Sequence, residues 1–183
     1  MKKIMIVDDN YLSAEGIEKN IDWETLNAEI IHVCYNGTSA IEAMKKEPAD
    51  LIISDIEMPD LDGISMSRQA LEINPMVKII LISAYDKFEY ARRALLLGAL
   101  DYIEKPLDYA YLIQKVKNAF ALMEKEQKNL QLLKQSRPLL TEKFFREITH
   151  LPSSEAAYRL KPYLKYLNLE LNYDFYAVVI LEL

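Results

Sequence analysis

The chain has 183 residues, of which 51% are hydrophobic and 27% charged, and its formal net charge is −6. This balance is typical of a globular protein with one ordinary domain and a smaller part, whereas an acidic chain is poorly suited to unaided binding of nucleic acid. The single cysteine excludes an intramolecular disulfide, and no apolar run of about 18 residues is present that could span a membrane. We therefore expect a cytoplasmic protein that does not associate with membranes.

Apolar runs alternate with segments of helical periodicity over the first 120 residues. Strands are predicted at 3–8, 29–35, 50–55, 77–83 and 99–105, and helices at 11–21, 37–47, 63–73, 86–98 and from residue 107. Strands that alternate with helices form parallel sheets covered on both faces. We therefore predict an α/β fold with a five-stranded parallel sheet, and we assume the strand order 2-1-3-4-5 in order to place the strand ends.

The remainder of the chain predicts a long helix and the start of a second domain. Residues 107 to about 137 read as one helix, and residues 137–172 read as two amphipathic helices separated near Pro152. The hydrophobic stretch 175–183 reads as a lone strand, which cannot bury both of its faces. We expect a first domain at 1–120, a helical linker at 121–137 that could form a coiled coil, and a truncated α+β domain at 138–183.

Polar residues stand at the carboxyl ends of four predicted strands. Asp8 and Asp9 end the first strand, Asp55 the third, Ser83 the fourth and Lys105 the fifth. In the assumed strand order they meet at the sheet edge where α/β proteins bind ligands. Any one of the acids could be a solvated surface residue, but two carboxylates about 4 Å apart repel by about 4 kcal/mol at an effective dielectric of about 20. One ammonium cannot neutralise three carboxylates, so we predict a bound divalent cation such as Mg²⁺.

Four stretches, IVDD (6–9), SDIEMPDLDG (54–63), LISAYD (81–86) and DYIEKP (101–106), together resemble the receiver domain of two-component response regulators. The resemblance covers about residues 1–120 and implies the flavodoxin-like fold. It also implies that Asp55 accepts a phosphoryl group from a sensor histidine kinase, and that the domain performs no chemistry beyond its own phosphorylation and dephosphorylation. Asp9, Asp55 and the backbone carbonyl of Glu57 would bind Mg²⁺ directly, and Asp8 would act through a water molecule.

The resemblance further implies a conformational switch. Lys105 would contact the phosphoryl group, Ser83 would donate a hydrogen bond to it, and Tyr102 would move into the space that Ser83 vacates. The peptide bond between Lys105 and Pro106 would be cis. The face made by the fourth helix, the fifth strand and the fifth helix would then change and control an output.

The stretches IDWETLNAEI (21–30) and 83–106 resemble a YesN-like subgroup, whose members usually end in an AraC-type DNA-binding domain. The expected output is therefore transcription, with DNA bound only through a domain that this sequence does not include. Two alternatives stay open. One is a receiver with a protein-binding output, and the other is an Mg²⁺-dependent phosphohydrolase of the haloacid dehalogenase type. The latter class has a second Asp two residues after its nucleophile, where this chain has Glu57.

A seven-residue register along the long helix predicts a conditional homodimer. Met123, Leu130 and Leu133 are apolar positions of this register, whereas Glu126 would face its own copy and weaken association. We expect mostly monomer without phosphorylation and more dimer with it. The alternative is an amphipathic linker that lies on the second domain.

Overall fold

The structure, a computed structural model, describes residues 1–84, 92 and 98–148. Most of the predicted fourth helix (86–98) and everything predicted beyond residue 148 lie outside the described residues. The chain divides into two compact units, Met1–Met123 and Glu124–Leu183. Among the described residues, no helix combines the length and apolar character that a membrane crossing requires.

The described strands and helices alternate along the chain as predicted, except between the fourth and fifth strands, where the predicted helix lies outside the described residues. The strands are β1 (Lys2–Val7), β2 (Ala28–Cys34), β3 (Leu51–Asp55), β4 (Lys78–Ser83) and β5 (Asp101–Glu104), and the helices are α1 (Tyr11–Lys19), α2 (Gly37–Lys46), α3 (Gly63–Ile73) and α4 (Tyr109–Ile148). Neighbouring strands are parallel and follow the order β2-β1-β3-β4-β5. The flavodoxin-like sheet and its strand order are therefore confirmed.

The sheet is buried on both faces, which explains why its strands are nearly continuous apolar runs. Successive residues of a strand point to opposite faces. Ile52 of β3 packs with residues of α2 and α3, whereas the next residue, Ile53, packs with residues of α1 and α4. All five residues of β3 are buried, so this central strand fixes the position of its last residue, Asp55, at the carboxyl edge of the sheet.

Three helices begin immediately beyond the carboxyl edge of the sheet, and a polar residue caps each of them. Asn10 accepts hydrogen bonds from the backbone of residues 12 and 13 before α1, and Asn36 accepts one from the amide of residue 39 before α2. Asp62 caps α3 by accepting from the amides of residues 64 and 65. Such caps satisfy otherwise unpaired helix amides. They also fix the short loops that surround the strand ends.

The last helix, α4, is longer than the sequence predicted. It continues to Ile148 instead of ending near residue 137, although Pro138 lies within it and removes one backbone donor. Its first part packs on the sheet through the buried residues Leu112, Val116, Ala119, Phe120 and Met123. Met123, which the register assigned to a dimer seam, thus belongs to the core of the first unit.

The part of α4 that follows Glu124 carries exposed apolar residues. Leu130 is 46% exposed and Leu132 is 62% exposed. The side chain of Leu133 lies outside the described part of the structure. The proposed division at residues 121–137 and 138–183 stays a prediction.

Candidate functional site

One ammonium group bridges two buried acids at the carboxyl edge of the sheet. The Nζ atom of Lys105 is 2.9 Å from Oδ2 of Asp8 and 2.7 Å from Oδ2 of Asp55. Asp8 is 1% exposed and Asp55 is 7% exposed. Lys105 follows β5, so its side chain reaches past β4 to meet acids that come from β1 and β3.

A third acid completes a cluster with these two. One carboxylate oxygen from each of Asp8, Asp9 and Asp55 lies within 4.8 Å of the others, and Asp9 is exposed to solvent while the other two are buried. Among the residues that the structure describes, three carboxylates lie beside one ammonium, so the cluster has excess negative charge. Oxygen ligands of this kind suit a hard divalent cation, which fills its remaining positions with water and phosphate oxygens. The cluster could therefore hold a metal ion.

The hydrogen bond from Lys105 does not fully offset the effect of burial on Asp8. Burial raises the pKa of the Asp8 carboxyl, and the bonds from Lys105 and from the Asn10 amide (2.9 Å to Oδ1) offset that rise only in part. Burial alone would lower the pKa of Lys105. Its hydrogen bonds to Asp55 and Asp8 outweigh that effect, so the pKa of the ammonium stands above its usual value. Lys105 therefore stays charged, while the burial of Asp8 is only partly compensated.

The backbone around Asp55 is folded tightly. Its carbonyl oxygen accepts a 2.8 Å hydrogen bond from the Ser54 hydroxyl, and its carboxylate accepts a 3.3 Å bond from the amide of Glu57. The amide of Gly63 donates to the carbonyl of Ile56 at 2.8 Å. A Cβ atom at Gly63 would lie only 2.0 Å from the Asp55 carbonyl oxygen, so only glycine permits this loop to return so close to the strand end.

The two predicted switch residues lie on the strands next to Asp55. Asp55 pairs with Ile82 of β4, and the following residue, Ser83, is fully buried. Tyr102 of β5 is half-buried and packs against the core on the α2 and α3 side of the sheet. The Lys105 amide donates a 2.8 Å bond to the Ser83 carbonyl, and the predicted cis bond between Lys105 and Pro106 is present.

Two features of the carboxyl edge were not predicted from the sequence. A cleft of about 320 Å³ lies beside the acids, and it is lined by Asp8, Leu12, Ser13, Ile17, Ile82, Lys105, Pro106, Leu107 and Tyr109. Tyr11 and Tyr35, which are 57% and 42% exposed, pack with ring centroids 5.5 Å apart and ring planes tilted by 35°. Residues from separate elements form both features, and no spacing along the chain relates them.

The family model for the response regulator receiver domain matches residues 4–117. The chain belongs to this family. The matched range contains the whole acidic cluster, Lys105 and both predicted switch residues. The fold and the family predicted from the sequence are thereby confirmed.

The similar proteins include transcriptional regulators. The chain is 29% identical over 126 residues to YesN of Bacillus subtilis, an uncharacterized transcriptional regulatory protein, and the match covers 69% of this chain and 34% of YesN. It is 30% identical over 112 residues to the transcriptional regulatory protein HptR of Staphylococcus aureus, covering 61% of this chain and 44% of HptR. The chain thus spans less than half the length of these curated relatives.

Two solved structures extend the likeness to the AraC-type group. The receiver domain of AraT, a response regulator from Geobacillus stearothermophilus, is 34% identical with a TM-score of 0.65. A two-component transcriptional regulator AraC from Clostridium phytofermentans is 31% identical with a TM-score of 0.65. Each match covers 69% of this chain and 98% of the solved chain. The predicted resemblance to YesN-like and AraC-type receivers is confirmed.

Proposed function

We propose that this chain is the phosphorylation-controlled input of a transcriptional regulator, with Asp55 as its phosphoacceptor. The observation that carries the proposal is the bridge from Lys105 to two buried acids, with a third acid at 4.8 Å or less. A carboxylate oxygen of Asp55 attacks phosphorus while the bond from phosphorus to the donor's histidine nitrogen breaks. Phosphoryl transfer of this kind depends on positioning and on neutralisation of charge.

The residues around Asp55 fit a magnesium ion in the proposed reaction. Asp9, Asp55 and the backbone carbonyl of Glu57 would hold Mg²⁺ directly, and Asp8 would hold it through water. The bound ion supplies positive charge against the phosphoryl oxygens. The excess of carboxylates over ammonium groups supports this assignment, because removal of the repulsion favours binding.

Lys105 has a second part in the proposed mechanism. Its ammonium already donates to Asp55 at 2.7 Å, so it can donate to a phosphoryl oxygen once Asp55 is modified. The raised pKa keeps that group protonated. Charge-assisted bonds to phosphate are strong, and they stabilise the product that Asp55 carries.

The switch is proposed to run through Ser83 and Tyr102. A phosphoryl group adds negative charge and three acceptor oxygens, and the Ser83 hydroxyl would turn to donate to one of them. Tyr102 pairs with Leu81 in the sheet, two residues before Ser83, and would move into the vacated space. The surface that we expect to change includes β5, α4 and the predicted fourth helix (86–98), most of which lies outside the described residues.

The partners follow from the same scheme. A sensor histidine kinase in the cytoplasm would supply the phosphoryl group, and the modified chain would associate more readily as a homodimer. YesN and HptR are transcriptional regulators, so we propose transcription as the output. DNA would be bound by a domain outside this sequence, because this acidic chain lacks the charge for it.

The intact mass of the protein after incubation with acetyl phosphate and Mg²⁺ tests the proposal. We expect one added phosphoryl group for each chain, and no addition when Mg²⁺ is withheld. Incubation with phosphomonoesters should give no turnover. Continuous release of phosphate would instead favour the phosphohydrolase alternative, and a protein that never gains mass would contradict the receiver mechanism.

A further inference from the structure

We propose that Gly37, the first residue of α2, is a positioning residue for the loop that follows Asp55. The inference rests on the proposed function, in which the Glu57 carbonyl of this loop binds Mg²⁺. Gly37 precedes Asp55 in the chain and begins a helix at the same sheet edge. Its lack of a side chain lets the start of α2 meet the loop after Asp55.

The contact between Gly37 and Leu61 is too close for any other residue. A Cβ atom at Gly37 would lie 2.5 Å from the Leu61 carbonyl oxygen, 3.0 Å from its Cβ and 3.1 Å from its Cγ. Gly37 does not adopt a positive φ angle, in contrast to Gly98 (φ 83°). Glycine is therefore required here by the close approach of the backbone and not by the conformation of the chain.

Leu61 is the part of the loop that presses on α2. Its amide donates a 2.8 Å bond to the Pro59 carbonyl, and the intervening Asp60 has a φ of 67°, a left-handed conformation that Asp tolerates better than most residues. The half-buried Leu61 side chain packs against the core next to α2 and α3. This tight turn is therefore pinned against Gly37.

Two close glycine contacts thus hold the second half of the loop, one at Leu61 and one at Gly63. Gly63 lets the returning chain pass close to the Asp55 carbonyl, and Gly37 lets Leu61 pack against the start of α2. Earlier in the same loop, the Glu57 amide donates to the Asp55 carboxylate. Since Glu57 and Leu61 belong to one short loop whose ends meet at Asp55 and Gly63, a shift of Leu61 is expected to move the backbone at Glu57.

The Glu57 carbonyl on this loop is a proposed metal ligand. The contact between Gly37 and Leu61 is therefore expected to affect metal binding as well as the packing of the loop. An added Cβ at residue 37 would need the loop to move on the order of 1 Å to reach an ordinary contact of about 3.5 Å. Magnesium demands near-ideal octahedral geometry with bonds of about 2.1 Å. Changes in the groups that orient metal ligands commonly weaken affinity by roughly 10- to 100-fold.

Calorimetric titration of Mg²⁺ into the full chain, without a phosphodonor, provides the test. We expect Gly37→Ala to weaken Mg²⁺ affinity by roughly tenfold or more, at a temperature where the protein remains folded by circular dichroism. The matched control is Gly16→Ala in α1, whose Cβ would lie 2.6 Å from the Tyr109 hydroxyl. That oxygen is the far end of a side chain that can rotate away, so the control should keep wild-type affinity.

Leu61→Ala keeps the inference testable if Gly37→Ala fails to fold. It removes the side chain that pins the turn without adding a clash, and it should also weaken Mg²⁺ binding. When all variants fold, the losses in Gly37→Ala and Leu61→Ala should not add in the double variant, because the two residues touch. A purely structural role would lower the melting temperature of metal-free protein and leave the metal affinity unchanged.

The outcomes separate this inference from the proposed function. Unchanged Mg²⁺ affinity in Gly37→Ala, or in Leu61→Ala when the former does not fold, overturns the positioning role alone. A wild-type protein that binds no Mg²⁺ overturns the proposed metal site and the inference with it. Weakened Mg²⁺ binding in Gly37→Ala, together with wild-type binding in Gly16→Ala, supports the positioning role of Gly37.

Discussion

The two edges of the sheet carry ion pairs of the same length in different surroundings. At the amino edge, Lys3 Nζ is 2.7 Å from Oε1 of Glu47, and the two side chains are 41% and 48% exposed. At the carboxyl edge, Lys105 Nζ is also 2.7 Å from Asp55, but these side chains are 24% and 8% exposed. Only the second ammonium is shared, because it also bonds Asp8.

The pKa shifts express the same difference. The hydrogen bond from Lys3 lowers the pKa of Glu47, as expected for an acid with a partner of its own in water. Burial raises the pKa of Asp8 in spite of Lys105. Buried ions cost free energy unless they are fully paired, so the carboxyl edge is poorly arranged for stability alone. This comparison supports our proposal that the reactive site lies at the carboxyl edge.

The largest expected effect comes from the same substitution at two acids that flank β3. Asp50 precedes the strand and accepts a 2.8 Å bond from the Lys3 amide, whereas Asp55 ends it. Asp55→Asn should abolish labelling by acetyl phosphate, because an amide oxygen is not the required nucleophile. Asp50→Asn should be labelled like the wild type. Intact mass spectrometry measures both, and stoichiometric labelling of Asp55→Asn would sink the assignment.

Substitution of each lysine compares the two ion pairs by their effects on the free energy of unfolding. Lys105→Met leaves two buried acids without their ammonium, and we expect a loss of about 3 kcal/mol in the free energy of unfolding of metal-free protein. Lys3→Met should change it far less, because its partner is already in water. Urea unfolding without Mg²⁺ measures both variants. Equal losses would show that the two edges do not differ as we argue.

The stabilisation of the protein by Mg²⁺ should depend on acids at the carboxyl edge and not on acids at the amino edge. At a Mg²⁺ concentration of about 100 times the dissociation constant, the wild type should gain about 2.7 kcal/mol. Asp9→Ala should lose most of this gain, since it removes a proposed ligand, whereas Asp50→Ala at the other edge should retain it. Thermal melting with and without Mg²⁺ compares the three proteins. An undiminished gain in Asp9→Ala would exclude Asp9 as a ligand.

The smallest expected effect is on association. We expect the full chain to be mostly monomeric, with more dimer when beryllofluoride occupies the proposed phosphorylation site, because Leu130 and Leu132 offer only a small exposed apolar area. Glu126→Leu should strengthen association by removing a repulsive contact between copies. Sedimentation tests this in wild type and in Asp50→Asn, which should respond alike. Identical monomer masses in both states would favour the linker alternative.

The sequence predicted what depends on strand ends and failed where side chains or loops meet across elements. Parallel strands place their carboxyl ends on one edge, so Asp8, Asp55 and Lys105 could be grouped from the order of the strands alone. The contact between Leu61 and Gly37 could not be predicted, because no sequence pattern relates the loop after Asp55 to the start of α2. The long helix was predicted to end near residue 137, yet α4 continues through Pro138 to Ile148. Met123 fitted a seven-residue register, but the sheet buries it.

Peptide mapping of the phosphorylated protein tests the central claim most directly. The wild type is treated with acetyl phosphate and Mg²⁺, digested at low pH and sequenced by tandem mass spectrometry. We predict that the phosphoryl group is found on Asp55, in the peptide that contains residues 51–63. A folded, Mg²⁺-binding protein that carries the group on Asp8, on Asp9 or on any residue outside this cluster would contradict the account.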